Sequence, residues 1–294
     1  MKEIVFTFNK ECNWNCEYCN QKLIDKSIRK SDDELIIDFN KWFKYCTKYE
    51  NEISLYLCGG EPGLWSNKLW EGITKTIEEN TDTIFFTGIF TNGATFNNEF
   101  FLNNSFNRAT HLWHCTPTIK DAIVDTSFIN DRKFIFNINF HPIIVLQKKE
   151  IKYLEQFINN NPRLGNFYLD LAQNSEYTEG VEDFTIDDYE EIIKILRKYP
   201  HRISTESLMG INATKNRLKT EGLESLQKIC SLQNSKVLID LSEDVIYRCC
   251  NYSSKVELNE ENLKLKFNNK LFTEESCGTC VNSVAYFGEA KSNA

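Results

Sequence analysis

Cys12, Cys16 and Cys19 stand in a C-x3-C-x2-C run directly after a short apolar stretch. Three thiolates converging from so short a loop call for a metal centre, and soft sulfur donors select iron-sulfur chemistry. A 4Fe-4S cluster held by three cysteines keeps one iron free of protein ligands. That iron is open to a substrate or cofactor, whereas an electron-transfer cluster normally takes four cysteines. A second group lies in the last quarter of the chain: Cys230, Cys249, Cys250 and the Cys-x2-Cys pair Cys277 and Cys280. A Cys-x2-Cys with two cysteines upstream has the ligand count of a structural zinc or a second 4Fe-4S cluster.

A glycine-rich turn, Gly59-Gly60-Glu61-Pro62, follows the next apolar run. Glycines there let the backbone approach a bound group closely. The cysteine spacing, the aromatic Tyr18 just before the third cysteine and this turn, in that order, resemble the radical S-adenosylmethionine (radical SAM) superfamily. The resemblance implies that the open iron chelates the amino and carboxylate groups of the SAM methionine. Reduction then yields methionine and a 5'-deoxyadenosyl radical that abstracts hydrogen from the substrate. It also implies that Gly59, Gly60 and Glu61 bind the methionine amino group, that Tyr18 lies among the cofactor-binding residues, and that Thr91 and Asn92 of a Thr-Asn-Gly turn are SAM neighbours.

The elements that must position these groups alternate. Ile4–Phe8, Glu52–Leu57, Thr83–Phe90, Ala109–Thr118, Lys133–Val145 and Asn166–Gln173 read as strands rich in β-branched and aromatic residues. Between them, Ser31 with Glu34 forms a capping box before Leu35, Phe39, Trp42, Phe43 and Cys46 at helical spacing, and Cys46 reads as core. Leu69, Trp70, Ile73 and Ile77 mark a second helix, Ile151 to Ile158 a third, and Thr185 caps another carrying Tyr189, Ile192, Ile193 and Leu196. Six strand-helix units predict a parallel sheet. The expected fold is α/β, a partial (β/α)6 TIM-like barrel over residues 1–203, with a small C-terminal iron-sulfur appendage over 204–294.

Two strands carry polar side chains of interest. His111, His114 and Cys115 fall in the fourth, where alternation sends His114 and Cys115 to opposite faces. Asn137, Asn139 and His141 recur at period two in the fifth. One face so lined suits a SAM or substrate pocket, or else an outward solvated face. Cys58 reads as a strand residue rather than a ligand.

From Ser204 the chain turns polar and helical to Gln227. Cys230, a strand at Val237–Leu241, the run Val245 to Cys250, a hairpin around Glu257 to Phe272, and the last cysteines follow. This order resembles the auxiliary-cluster appendage called SPASM in its long form and twitch in its short form. The resemblance implies Cys230, Cys249, Cys277 and Cys280 as ligands of a second 4Fe-4S cluster, with Cys250 able to replace Cys249. Structural zinc and redox-inert cysteines stay open as alternatives.

The net charge of −8 and 26% charged residues describe a soluble chain poorly suited to general nucleic-acid binding. No apolar run approaches the eighteen or so residues a membrane span needs. Met1 leads straight into a strand rather than a signal peptide. These features predict a cytoplasmic protein, and an odd total of eleven cysteines speaks for metal ligation over disulfides. The expected activity is net oxidation, dehydrogenation or cross-linking, of a small molecule or peptide. A flavodoxin or ferredoxin would serve as reductant, and the auxiliary cluster would take the electron left on the substrate radical. Because the first cluster cysteine is residue 12, leader-peptide recognition is expected from a separate protein or not at all. Two rivals remain: a redox-neutral epimerase with Cys115 or Cys250 as hydrogen donor, and a non-catalytic iron-sulfur scaffold.

Overall fold

In the first strand, β1 (Lys2–Thr7), alternate residues Ile4 and Phe6 are fully buried on one face, and Phe8 just beyond continues the row. They meet helix α1 (Asp32–Cys46), whose Leu35, Phe39, Trp42 and Phe43 form its buried stripe. Phe6 packs edge-on to Phe39 with ring centroids 5.0 Å apart. Each such ring contributes roughly 1.5–3 kcal/mol through burial, which fixes which face of β1 the helix covers. Helix α1 begins where expected: Ser31 Oγ accepts from the Glu34 amide at 3.4 Å, and a Glu34 carboxylate oxygen accepts from the Ser31 amide at 2.8 Å. Cys46 lies wholly inside this core, and burial pushes its thiol far above the usual range.

The computed structural model describes residues 2–19, 30–80, 82–93, 110–116, 118–124, 138–172, 180–221, 236–248 and 254–271. After α1 come β2 (Ile53–Cys58), α2 (Asn67–Glu78), β3 (Ile84–Thr91), β4 (Thr110–Thr116), β5 (Ile138–Leu146), α3 (Leu154–Asn160), β6 (Tyr168–Leu171), α4 (Ile186–Leu196), α5 (Thr205–Glu221), β7 (Lys236–Asp240), β8 (Val245–Tyr247), β9 (Lys255–Glu257) and α6 (Glu260–Phe267). They form one nine-stranded sheet in the order β6-β5-β4-β3-β2-β1-β7-β8-β9. The first six strands are parallel and neighbour one another in chain order. That is the expected run of strand-helix units, and the described sheet is open, with β6 and β9 at its edges, as a partial barrel requires.

One correction concerns the C-terminal part. The range expected as a hairpin, Glu257 to Phe272, holds helix α6 over Glu260–Phe267. Asn259 caps α6 by accepting from the Asn262 amide at 2.9 Å, and Glu260 and Glu261 complement its N-terminal dipole. The antiparallel pairing lies earlier, between β8 and β9. Strand β7 lies parallel to β1 on the side opposite β2, with Thr7 opposite Asp240.

Helices cover one face of the sheet. A second cluster continues that layer with Ile144, Leu146, Leu154, Phe157, Leu169, Tyr189, Ile192 and Leu196. On the opposite face Ile143, Val145 and Ala172 pack with Tyr18, Phe90 and Tyr168. Asn139 and His141 are half-buried and share that helix-free face with Ile143. No helix among the described residues is long and apolar enough to cross a membrane.

Candidate functional site

The cysteine loop leaves the C-terminal end of β1 and the glycine turn leaves the C-terminal end of β2, so parallel pairing delivers both to one edge of the sheet. The two turns interlock through their backbones. The Glu61 amide donates to the Glu11 carbonyl at 2.7 Å. Gly59 and Gly60 both have positive φ, 115° and 53°. A Cβ on Gly60 would stand 1.7 Å from the Glu11 carbonyl oxygen, and one on Gly59 2.4 Å from that of Asn9. What the missing side chains admit is thus the cysteine loop itself.

Glu61 then ties in the third strand. Its carboxylate is buried and accepts from the Gly63 amide at 2.9 Å, the Thr91 hydroxyl at 2.6 Å and the Asn92 amide at 2.6 Å. Thr91, also buried, accepts in turn from the Gly93 amide at 3.0 Å. From the end of β3 the Asn92 side-chain amide lies 3.6 Å from Cys12 Sγ and donates to Asn13 Oδ1 at 2.9 Å. Three segments widely separated in sequence thereby become one assembly: Cys12 with Asn13, Gly59 to Glu61, and Thr91 with Asn92.

Two further contacts anchor the cysteine loop. The Trp65 indole donates to Asn9 Oδ1 at 3.3 Å, while its ring stands 4.8 Å from Phe8. Lys10, buried two residues before Cys12, pairs with Asp240 Oδ2 at 3.1 Å and with Glu243. Glu243 also takes the Tyr247 hydroxyl at 3.0 Å and Lys255 at 2.7 Å. Burial pushes the Asp240 carboxyl up further than Lys10 and Ser242 pull it down. At Glu243 burial is outweighed by hydrogen bonds from Lys10 and Lys255, which hold that carboxyl low. Sequence reading missed this network. Its one local signal is a lysine two residues before Cys12, and its partners lie more than two hundred residues away.

Cys12, Cys16 and Cys19 are half-buried at this edge. The Cys12 sulfur accepts from the Trp14 amide at 3.4 Å, and the Cys19 amide donates to the Cys16 carbonyl at 3.2 Å. Burial, then the neighbouring sulfur of Cys19 and more weakly that of Cys12, push the Cys16 thiol up to about 11 against a hydrogen bond from Tyr18. A thiolate there waits on a bound cation, which suits a metal-ligand set. Among the described residues no three His, Cys, Asp or Glu side chains close around a single ion. Cys12, Cys16 and Cys19 are the residues here that could hold a cluster by three thiolates. Cys58 accords with its reading as a strand residue: its sulfur lies 3.4 Å from Thr7 Oγ1, and burial raises its thiol to about 11.

Tyr18 reaches the helix-free face, in the cluster with Ile143 and Val145. Asn139 lies on that face too, in β5, at the register position of His111. Cys115 pairs in register with Ile143 and His114 with Thr91. Asn137, Cys230, Cys249, Cys250, Cys277 and Cys280 lie outside the described residues. A cavity of about 490 Å³ adjoins the cysteine loop, walled by Trp14, Cys16 and Glu17 on one side and by Thr118, Gln147 and Glu150, beyond the ends of β4 and β5, on the other.

No family model matches the sequence, and no curated protein matches it significantly. Solved structures do. Streptococcus suis SuiB bound to S-adenosylmethionine aligns with 92% of this chain and 66% of its own at 16% identity and a TM-score of 0.59. SuiB bound to its precursor peptide SuiA aligns with 92% of this chain and 65% of its own, at 15% identity and 0.58. The anSMEcpe enzyme with bound AdoMet aligns over 92% of this chain and 77% of its own, at 13% identity and 0.61. The chain therefore spans just under two thirds of the length of SuiB. These neighbours are radical SAM enzymes, and the chain has their fold.

Proposed function

We propose that this chain is a radical SAM enzyme acting on a peptide. The observation that carries the reading is Asn92, which joins the Cys12 sulfur to the Glu61 carboxylate and so makes one site of the three segments that the family resemblance singles out. Cys12, Cys16 and Cys19 would hold a 4Fe-4S cluster by three thiolates. Such a cluster would supply the one-electron reductive cleavage of SAM.

The chain's own groups do the positioning. Gly59 and Gly60 seat the cysteine loop against the end of β2 and, with Glu61, offer the turn proposed to hold the SAM amino group. Thr91 and Asn92 fix the neighbouring wall, and Asn92 provides a hydrogen bond to a ligand sulfur. Tyr18, Asn139 and Asn137 are proposed to line the cofactor pocket, which excludes water from the reacting centre. SuiB binds a precursor peptide, which favours a peptide over a small metabolite as substrate here.

The reaction proposed is a net oxidation of that peptide, with an electron-transfer protein of the flavodoxin or ferredoxin kind as reductant and a separate protein as a candidate for substrate recognition. Cys230, Cys249 or Cys250, Cys277 and Cys280 would ligate a second 4Fe-4S cluster as electron acceptor. On this reading residues 1–203 form the radical SAM partial barrel and 204–294 the auxiliary-cluster domain.

Iron and sulfide analysis after anaerobic reconstitution tests the assignment. Wild type should hold about eight irons, and the variant with Cys12, Cys16 and Cys19 changed to Ala about four, as two separate 4Fe-4S clusters require. About four in wild type and none in the variant would remove the second cluster, leaving the C-terminal set to zinc or to free thiols.

A further inference from the structure

Glu150 is 5% exposed and lines the cavity beside the cysteine loop. Its carboxylate accepts from the Thr118 hydroxyl at 2.5 Å, the Ile119 amide at 3.2 Å and, weakly, the Gln147 amide at 3.4 Å. All three donors are neutral. The two lysines beside it in sequence pair with other carboxylates, Lys148 with Asp188 at 3.1 Å and Lys149, itself on the cavity wall, with Glu17 of the same cavity. Among the described residues no cation pairs with Glu150. A buried carboxylate is ordinarily matched by a positive charge, because its desolvation is costly otherwise.

Gln147, 7% exposed, lines the same cavity, and its buried Oε1 has no hydrogen-bond partner. An unpaired acceptor next to an unmatched carboxylate asks for a ligand that carries both positive charge and N–H donors. Trp14 adds an indole, 37% exposed, at the other wall, and a ring face attracts a cation. The volume of about 490 Å³ falls in the range that holds a small group.

We infer that this cavity is a subsite for a primary ammonium or guanidinium group, the lysine or arginine side chain of the substrate peptide. Glu150 matches the charge and Gln147 takes one of the N–H groups. Cys16 belongs to the same wall, so a basic residue seated here lies beside the proposed cluster and sets which neighbouring residue of the peptide meets the radical. Glu150 and Gln147 thus act as specificity residues. The assignment rests on the proposed peptide-modifying reading.

The probes are five acetylated, amidated pentapeptides Gly-Gly-X-Gly-Gly with X Lys, Arg, Gln, Leu or Glu. Their dissociation constants are measured by saturation-transfer NMR on the reconstituted protein with SAM present. The Lys and Arg peptides should bind about tenfold tighter than the Gln peptide. In Glu150→Gln that ratio should collapse to about one, and Gln147→Leu should reduce it roughly three- to tenfold. Equal binding of all five peptides to wild type would overturn the subsite, as would a preference that survives Glu150→Gln. Should Glu150→Gln weaken SAM and every peptide alike, Glu150 serves the cofactor pocket or the fold, and the subsite is again wrong. If Glu150→Gln does not fold, the wild-type ratio and Gln147→Leu decide. Binding is read without turnover: a chain that keeps the preference yet never cleaves SAM sinks the radical SAM reading alone, and lost preference with intact cleavage sinks the subsite alone.

Discussion

The Thr91 hydroxyl donates to the Glu61 carboxylate at 2.6 Å in a setting where both side chains are almost wholly buried, so the ends of β2 and β3 are joined by a charge-assisted bond. Glu61 also receives two backbone amides, those of Gly63 and Asn92. Glutamine at this position would turn an NH2 group toward one of those donors. Glu61→Gln should therefore cost about 2–3 kcal/mol of unfolding free energy, measured by denaturant melts of the metal-free protein. A loss under about 0.5 kcal/mol, the size of an ordinary surface change, would show that this network does not hold the strand ends together.

Gly60 allows a direct test of the contact between the two turns. Alanine there meets the Glu11 carbonyl carbon and oxygen while also adopting a positive φ, which alone costs roughly 1–2 kcal/mol. Gly60→Ala should displace the cysteine loop and lower the iron retained after reconstitution to well under half of wild type. Full iron retention with normal stability would mean that the loop has slack.

Asn92 donates toward the Cys12 sulfur. Hydrogen bonds to ligand sulfurs raise the potential of an iron-sulfur cluster by stabilising its reduced form. Asn92→Leu should bind iron normally but shift the first cluster to a more negative potential in an EPR-monitored redox titration. An unchanged potential would reduce Asn92 to a purely structural link.

Lys10 predicts a pH dependence. In the wild type Glu243 is held low, so its contribution is present above its unfolded pKa and lost as pH falls through the folded one. Asp240 is pushed up, so its contribution has the opposite sense and is lost as pH rises. Lys10→Met removes the buried cation between them. Both carboxyls should then rise, costing about 3–5 kcal/mol at neutral pH and clearly less at pH 5, where protonation relieves them. Melts at the two pH values decide it; a difference independent of pH would show that the pair is not charged in the folded protein.

Local signals carried most of the sheet and the start of the site. Ser31 with Glu34, the β-branched runs and the Gly59-Gly60 turn each declare themselves within a few residues, and parallel βα order follows from their alternation. What escaped depends on pairing at long range. Nothing near Lys10 announces Asp240, and nothing in β7 announces that it lies beside β1. The hairpin expected at 257–272 failed because Leu263, Leu265 and Phe267 alternate like a strand, whereas Asn259, Glu260 and Glu261 supply a helix start. Glu150 carries no signal of its own in the sequence, because its lack of a counter-charge becomes visible only when β4 and β5 are side by side.

The most direct test of the central claim is anaerobic incubation of the reconstituted protein with SAM and dithionite, with 5'-deoxyadenosine and methionine measured by mass spectrometry. Wild type should form both in equal amounts, dependent on the reductant, and the variant with Cys12, Cys16 and Cys19 changed to Ala should form neither. No 5'-deoxyadenosine from wild type that carries a full complement of iron and sulfide would contradict the radical SAM assignment and favour a non-catalytic iron-sulfur protein.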